Sequence, residues 1–483
     1  MKKQAFNPFL PCHEYVPDGE PHIFCERLYL FGSHDAFAGE HFCQNDYVCW
    51  SAPLTDLSDW HDHGIIYRKD QDPMNDGTHV MYAPDVVPGP DGRYYLYYTL
   101  DFLSAISVAV SDRPEGPYAY YGAVRDVDGH ILGQRDGDVF QYDPGVLMDS
   151  DGSVHLYSGV ACEGGPLEKR LGGLDRIMNA SYHYRLGPDM LTVLEPGVPV
   201  APGNALAQGT AYEGHAFFEA SSIRRIGDLY YFIYSSANSH ELCYATSPKP
   251  DQPFAYGGVL VSIGDIGLEG RVRDEDGVNF LGTTHGSLAQ VGDQWYVFYH
   301  RQSNDNQLSR QACAEKIRIL PDGSIPQAEV TSCGLNPGPL RGVGTYEARI
   351  ACHLYGPDGP VRYLPFLSNP TGQPYFTQQE PDNEEGSVQY IHHFYHGCHA
   401  GFKYFEMEGL SRLAVTFRGQ GEGCLIFSLT PQGEPIARLP IHASEDWTES
   451  SAPCLPLYGV HPLYLRYEGS GALDLLSITL GID

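Results

Sequence analysis

Apolar residues in the first two thirds of this chain gather in short runs, each entered by a tight turn and dense in Tyr, Leu and Phe. Five runs share one form: residues 25–31 (CERLYLF), 92–98 (GRYYLYY), 152–157 (GSVHLY), 227–234 (GDLYYFIY) and 292–299 (GDQWYVFY). With Tyr29, Tyr95, His155, Tyr231 and Tyr296 as markers, the spacings are 66, 60, 76 and 65 residues. A repeat of that length, built from strands and turns without helical periodicity, predicts a four-stranded propeller blade with long loops. Segments 106–110 (ISVAV) and 242–246 (LCYAT) stand at the distance expected for the next strand of a blade. Five repeats predict a five-bladed β-propeller over residues 1–325. The Gly- and Pro-rich stretch that follows reads as a linker, 326–345. From 346 to 483 the pattern becomes that of short alternating strands, 413–417, 425–428, 463–467 and 473–477. At about 140 residues this predicts a jelly-roll-like β-sandwich. The fold class is all-β.

Composition narrows the function. The 34 Tyr, 54 Gly and 36 Pro suit strands and turns. Thirty Lys and Arg against 61 Asp and Glu give a formal charge of −31, a field that repels phosphate backbones and anionic lipid surfaces. Nucleic acids and membranes are therefore not expected as partners, whereas a small neutral carbohydrate is. No run approaches a membrane span, and the opening MKKQAFNPFLPCHEY lacks an apolar core of signal-peptide length. A cytoplasmic location is expected, with the twelve cysteines as reduced thiols without zinc-ligand spacing. His61/His63 and His392/His393 read as surface histidines.

Each aromatic run is preceded, ten to twelve residues before its marker, by a polar residue: Asp18, Asp85, Asp143, Glu219 and His285. The first strand of a propeller blade is innermost, so these five are expected to converge at one mouth of the channel. Converging carboxylates repel one another and are costly to desolvate, so a fold rarely gathers them for stability. Singly, each would read as a turn cap; in register they point to a site. Three carboxylates suit hydrolysis of a glycosidic bond, one activating water, one delivering a proton and one setting its neighbour's pKa. Glu219, among Phe217, Phe218 and Ala220, is expected to stay protonated as general acid. Asp18, between Pro17 and Gly19, is expected to be ionised as general base.

These residues also carry a resemblance. Residues 1 to about 330 resemble family 43 glycoside hydrolases, whose catalytic domains are five-bladed propellers. The segment from Asp18 to Phe24, followed by the stretch that ends in His34 and Asp35, is similar to the family's first-blade motif, in which the Asp is the general base. The tetrapeptide Tyr82-Ala83-Pro84-Asp85 resembles a Trp-Ala-Pro-Asp signature with Tyr for Trp. By the same resemblance Asp143 is the pKa modulator, Glu219 the general acid, and His285 a residue that in some members binds a central calcium. Substrate contacts are implied for Asp85, His34, Tyr82, His285 and Arg301. No cofactor is required by the resemblance, which leaves room in the channel, at His285, for one Ca²⁺ or a water cluster. The family's usual Pro after the first Asp is Gly19 here, and its common Gly after the acid is Ala220. The C-terminal segment resembles family 6 carbohydrate-binding modules, with Trp447 read as a buried core residue ahead of a sugar platform, and packing against the propeller stands beside sugar binding as its role.

The resemblance implies inversion by single displacement, with base and acid carboxyls roughly 6.5–9.5 Å apart to admit water. The expected activity is removal of terminal pentosyl residues, as an α-L-arabinofuranosidase or β-xylosidase, from short oligosaccharides. Two rivals stand beside it: a non-catalytic sugar-binding propeller, and a related glycosidase acting on galactose or fructose.

Overall fold

A computed structural model of the chain describes residues 4–171, 173–362, 372–382 and 384–482. Five antiparallel sheets follow one another along residues 20–317. Blade 1 holds β1 (Glu20–Phe24), β2 (Arg27–Phe31), β3 (Tyr47–Pro53) and β4 (His61–Tyr67). Blade 2 holds β5 (Asp85–Pro88), β6 (Tyr94–Thr99), β7 (Ile106–Ser111) and β8 (Ala119–Ala123). Blade 3 holds β9 (Gly145–Met148), β10 (Val154–Ser158), β11 (Ala180–Leu186) and β12 (Val198–Pro202). Blade 4 holds β13 (Phe217–Ile226), β14 (Leu229–Ser236), β15 (Glu241–Ser247) and β16 (Ala255–Ser262). Blade 5 has three strands, β17 (Leu288–Val291), β18 (Gln294–Gln302) and β19 (Arg310–Ile317). Where a fourth would lie, the N-terminal segment covers β19: Phe9 N donates to Ala312 O at 3.3 Å, and the Asn7 side chain exchanges two 2.9 Å hydrogen bonds with the Ala314 backbone. The covered edge has no free ladder to offer another chain.

The aromatic runs are the second strands, and the structure explains why they are apolar on both faces. Alternate residues of a strand point to opposite sides, and here each side packs against a different blade. Tyr95 and Tyr97 join Val146 and Leu156 between blades 2 and 3, whereas Leu96 and Tyr98 join Tyr29 and Phe31 between blades 1 and 2. Five such interblade cores close the ring. Closure between the first and last blades rests on a backbone bridge from Gly19 to Gly286. A Cβ on Gly286 would stand 1.9 Å from Phe298 O, so only glycine allows that approach.

The C-terminal domain is one ten-stranded sheet enclosing its own core, which includes Phe402, Phe405, Val415, Leu465 and Ile478. Its strands are β20 (Leu340–Arg341), β21 (Gly344–Glu347), β22 (His353–Tyr355), β23 (Tyr375–Gln378), β24 (Gln389–Tyr395), β25 (His399–Gly419), β26 (Glu422–Ser428), β27 (Ala437–Ile441), β28 (Ser444–Ser470) and β29 (Ala472–Gly481). The long strands β25 and β28 pair with four register shifts, and such bulges bend a strand. The expected strands 413–417, 425–428, 463–467 and 473–477 all lie within β25, β26, β28 and β29. The Gly- and Pro-rich connector is packed rather than loose, with Val330, Ser332, Leu335 and Leu340 buried. Its glycines and prolines make turns against the two domains. Among the described residues no helix is long and apolar enough to cross a membrane.

Candidate active site

Asp18 and Asp143 lie two residues before β1 and β9, Glu219 within β13, Asp85 at the start of β5 and His285 three residues before β17. Asp18, Asp143, Glu219, Tyr82 and His285 line one cavity of ≈ 430 Å³, within the ~300–1,000 Å³ typical of small-molecule sites. Its wall also holds Phe42, Phe102 and Phe218, apolar faces suited to a sugar ring. The backbone is bent to aim the acids: φ is 55° at Asp18, 43° at Asp143 and 68° at Ala220. Left-handed conformations cost non-glycine residues roughly 1–3 kcal/mol each and mark functional sites. β13 slips register against β14 on both sides of Glu219, a bulge that re-aims its side chain. The positive φ at Ala220 is the physical reason a glycine suits the position after the acid. A Cβ on Gly145 would meet Ser221 O at 2.4 Å; that close approach of β9 to β13 lets Ala220 N donate to Asp143 Oδ2 at 3.1 Å.

The acids differ in electrostatics. Burial raises Glu219 and the ionised Asp18 raises it further, to about 7, against the pull of Arg310. Burial, then Glu219 and Asp18, push Asp143 well above the usual carboxylate range. Asp143 therefore holds a proton at neutral pH, and Glu219 is poised to hold or release one there. Burial would also lift Asp18, but the Arg310 guanidinium together with His300, His285 and a hydrogen bond from Ser33 outweighs it, and the carboxyl sits at about 2. Arg310 is the permanent cation among these, because burial keeps both His285 and His300 neutral. Arg310 Nη1 donates to Asp18 Oδ1 at 2.9 Å, and His300 Nδ1 lies 3.3 Å from the same oxygen. Asp35 grips the other edge of the guanidinium, accepting from Nε at 2.8 Å and Nη2 at 2.9 Å. One ionised acid and a proton-bearing pair thus face one cavity, the division of labour that acid–base hydrolysis requires.

Sequence reasoning missed Arg310, Asp35 and His300 and chose Arg301. Strand parity decides between the arginines. Arg310 pairs with Gln302, which shares a face with His300, whereas Arg301 points the other way. Arg301 is buried, donates to Ala351 O at 2.6 Å and to Arg349 O, and stacks over Phe376 of the C-terminal domain. His34 is buried outside the cavity, its Nδ1 2.7 Å from Asp46 O. Asp85 also stays out of the cavity: it meets His22 Nε2 at 2.6 Å and accepts from Val86 N and Val146 N at 2.8 Å, tying blades 1 to 3 together.

Glu20, His22 and Asp85 place ligand atoms within 4.8 Å of one another, a group in which a metal ion could be held. Glu20 Oε1 is buried without a partner and lies 3.9 Å from His285 Nε2. Calcium takes about six to eight oxygens. Asp85 has committed both of its own, and Arg224 Nη2 holds the other Glu20 oxygen at 2.6 Å. A guanidinium already neutralises the channel, so these residues do not fit a calcium cage. In the C-terminal domain Trp447 is half-buried, with the Arg418 guanidinium 4.4 Å from its ring centroid. The flanking His392 meets Asp474 at 2.7 Å.

Residues 23–325 match the model of the glycosyl hydrolases family 43. Over its whole length the chain is 47% identical to a xylosidase/arabinosidase of Thermoclostridium stercorarium, covering 100% of both proteins. A β-xylosidase/α-arabinofuranosidase from a compost microbial metagenome, solved with xylotriose in a calcium-free form, is 25% identical. It covers 68% of this chain and 98% of its own, with a TM-score of 0.53. An arabinoxylan arabinofuranohydrolase of Bacillus subtilis matches 99% of this chain and 97% of its own at 18% identity and a TM-score of 0.51, a likeness of fold.

Proposed function

Because the chain belongs to family 43 of the glycosyl hydrolases, and is thus a glycosidase, we propose that it releases terminal L-arabinofuranosyl or β-xylosyl units from short plant-derived oligosaccharides with inversion. The observation that carries this reading is the split within one cavity between an ionised Asp18 and the proton-bearing Glu219 and Asp143. In it, Asp18 takes a proton from water as the water attacks the anomeric carbon. Glu219 gives its proton to the departing glycosidic oxygen, and Asp143 keeps Glu219 protonated until then. Asp143 is buried and Glu219 half-buried, which limits the bulk water competing for either proton. A sugar-binding propeller without chemistry has no use for that separation of charge. The pentosyl specificity draws on the relatives' xylosidase/arabinosidase activities. A cytoplasmic setting belongs to the same proposal and rests on the cysteines, none of which is in a disulfide among the described residues.

The test is proton NMR of the first product formed from nitrophenyl arabinofuranoside and xyloside. The anomer opposite to the substrate's is expected to appear before mutarotation. Release of the same anomer would refute single displacement, and turnover of galactosides or fructosides alone would refute the pentosyl assignment.

A further inference from the structure

Loop 36–45, between β2 and β3, contributes Phe42 and Cys43 to the cavity wall and packs directly on the charged groups. The Arg310 guanidinium lies 4.7 Å from the Phe42 ring centroid. Cys43 Sγ lies 3.4 Å from Arg310 Nη2 and 4.0 Å from Asp18 Oδ2. Within the propeller the loop is fastened at Cys43 N, which donates to Asp35 Oδ1 at 2.8 Å, and at Ala38 N, which donates to Ser309 Oγ at 3.1 Å. Asn45 Nδ2 also donates to Asp35 O at 3.1 Å, Ser309 Oγ to Ala36 O at 3.2 Å and Lys69 Nζ to Gln44 O at 2.6 Å, and a further tether comes from the other domain. Asp382 accepts from Phe37 N at 2.6 Å and from Asn45 Nδ2 at 3.0 Å, so one carboxylate clamps both ends of the loop. The segment carrying Asp382 is itself pinned: Gln378 Nε2 donates to Glu380 O and Pro381 O at 3.0 and 3.1 Å, and Tyr15 OH donates to Gln378 Oε1 at 2.7 Å.

We propose that Asp382 is a positioning residue through which the C-terminal domain holds the sugar-facing loop of the propeller closed over Arg310 and Asp18. The claim that this loop faces sugar rests on the glycosidase reading above. A carboxylate suits the task because its two oxygens accept from two donors at fixed separation, and charge-assisted hydrogen bonds are the stronger kind. The C-terminal domain is then part of the catalytic unit by way of one side chain, whatever else it binds.

The experiment compares the full chain with Asp382→Ala and Asp382→Asn on two readouts, after thermal unfolding confirms that each variant folds. The first is the alkylation rate of Cys43, mapped by peptide mass spectrometry; this residue is 2% exposed, so a faster rate reads opening of the loop. The second is the split between KM and kcat on an aryl pentoside. Asp382→Ala is expected to speed Cys43 labelling and to raise KM about tenfold, the worth of two lost hydrogen bonds. Asp382→Asn, which can serve one donor but not both, should fall between. Unchanged labelling in a folded Asp382→Ala overturns the tether, and faster labelling with unchanged KM overturns its link to the sugar site. Should the unmodified chain turn over no glycoside, the glycosidase reading falls, and labelling alone decides the tether.

Discussion

The candidate catalytic cavity and the seam between the two domains both bury charge, and each settles it differently. At the seam the wholly buried Asp265 meets His353 Nε2 at 3.1 Å, Lys403 Nζ at 3.3 Å and Val330 N at 2.8 Å. Lys403 turns its remaining capacity to Glu329 at 2.7 Å. Burial would raise Asp265, but His353 and Lys403 outweigh it and the carboxyl stays ionised. At the cavity, Arg310 pairs with Asp18 and with Asp35 behind it and its charge also reaches Asp143 and Glu219, while the neighbouring histidines are neutral. Compensated charge yields a fixed structure. A shortage of cations instead makes the fold keep protons on acids, and a retained proton is what a general acid donates. The cavity is thus legible as chemistry because its acids keep protons, and the seam as architecture because Asp265 stays ionised between Lys403 and His353.

The sharpest way to break that contrast is Glu219→Gln. It removes the donated proton while keeping the shape, and should lower kcat about 10²–10⁴-fold on substrates with poor leaving groups. Nitrophenyl glycosides, whose leaving group needs less protonation, should lose less. Stability should move the other way. A carboxyl raised to about 7 in the folded state contributes stability at pH 4 that is lost as pH climbs through 7. The neutral amide escapes that loss, so its Tm at pH 8 should exceed that of the unmodified chain. A lower Tm at pH 8 would mean that the buried proton is not where the cavity's charge balance puts it.

Arg310→Lys tests the other half. Lysine keeps one charge but cannot grip Asp35 on one edge and Asp18 on the other. Asp18 should then rise from about 2, and the acid limb of kcat/KM should move to higher pH, while the alkaline limb, set by the Glu219 and Asp143 pair, stays near 7. Losing roughly 1.4 kcal/mol of ion pairing should move that limb up by about one pH unit, so activity should fall about twofold at pH 3 and stay unchanged at pH 5. An unmoved acid limb would show that Arg310 does not hold Asp18 ionised.

How much of this was legible beforehand follows from what repeats and what does not. The five aromatic runs announce the blades because every second strand must be apolar on both faces, and that demand recurs with each blade. Asp18, Asp143 and Glu219 are visible for the same reason, each at a fixed offset from its run. Arg310 has no such offset; it is found only by counting strand parity from His300, after β18 and β19 have been paired. Asp85, in perfect register, is a cross-brace, since register fixes position along a strand and not which donors will surround a side chain. The fourth strand of blade 5 was hidden because its place is taken by residues near the other end of the chain. Glycine and proline in the connector signal its turns but not its burial, since burial depends on what lies across the turn.

At the seam, the counterpart of these substitutions is Lys403→Met. The methionine stem fills much the same space but leaves Asp265 with His353 alone and Glu329 without its cation. Removing one partner of a buried ion cluster costs about 3–5 kcal/mol, because the remaining charge stays desolvated. Tm should drop accordingly, and both limbs of the pH–rate profile should stay in place, because none of the cavity acids draws its charge balance from Lys403. Asp265 should meanwhile titrate upward, and the deficit should shrink in acid, where a protonated Asp265 no longer asks for a cation. A shift in the alkaline limb would join the two clusters into one electrostatic system and undo the distinction drawn between them. A loss of stability that is constant from pH 4 to pH 8 would assign the cost to packing instead of charge.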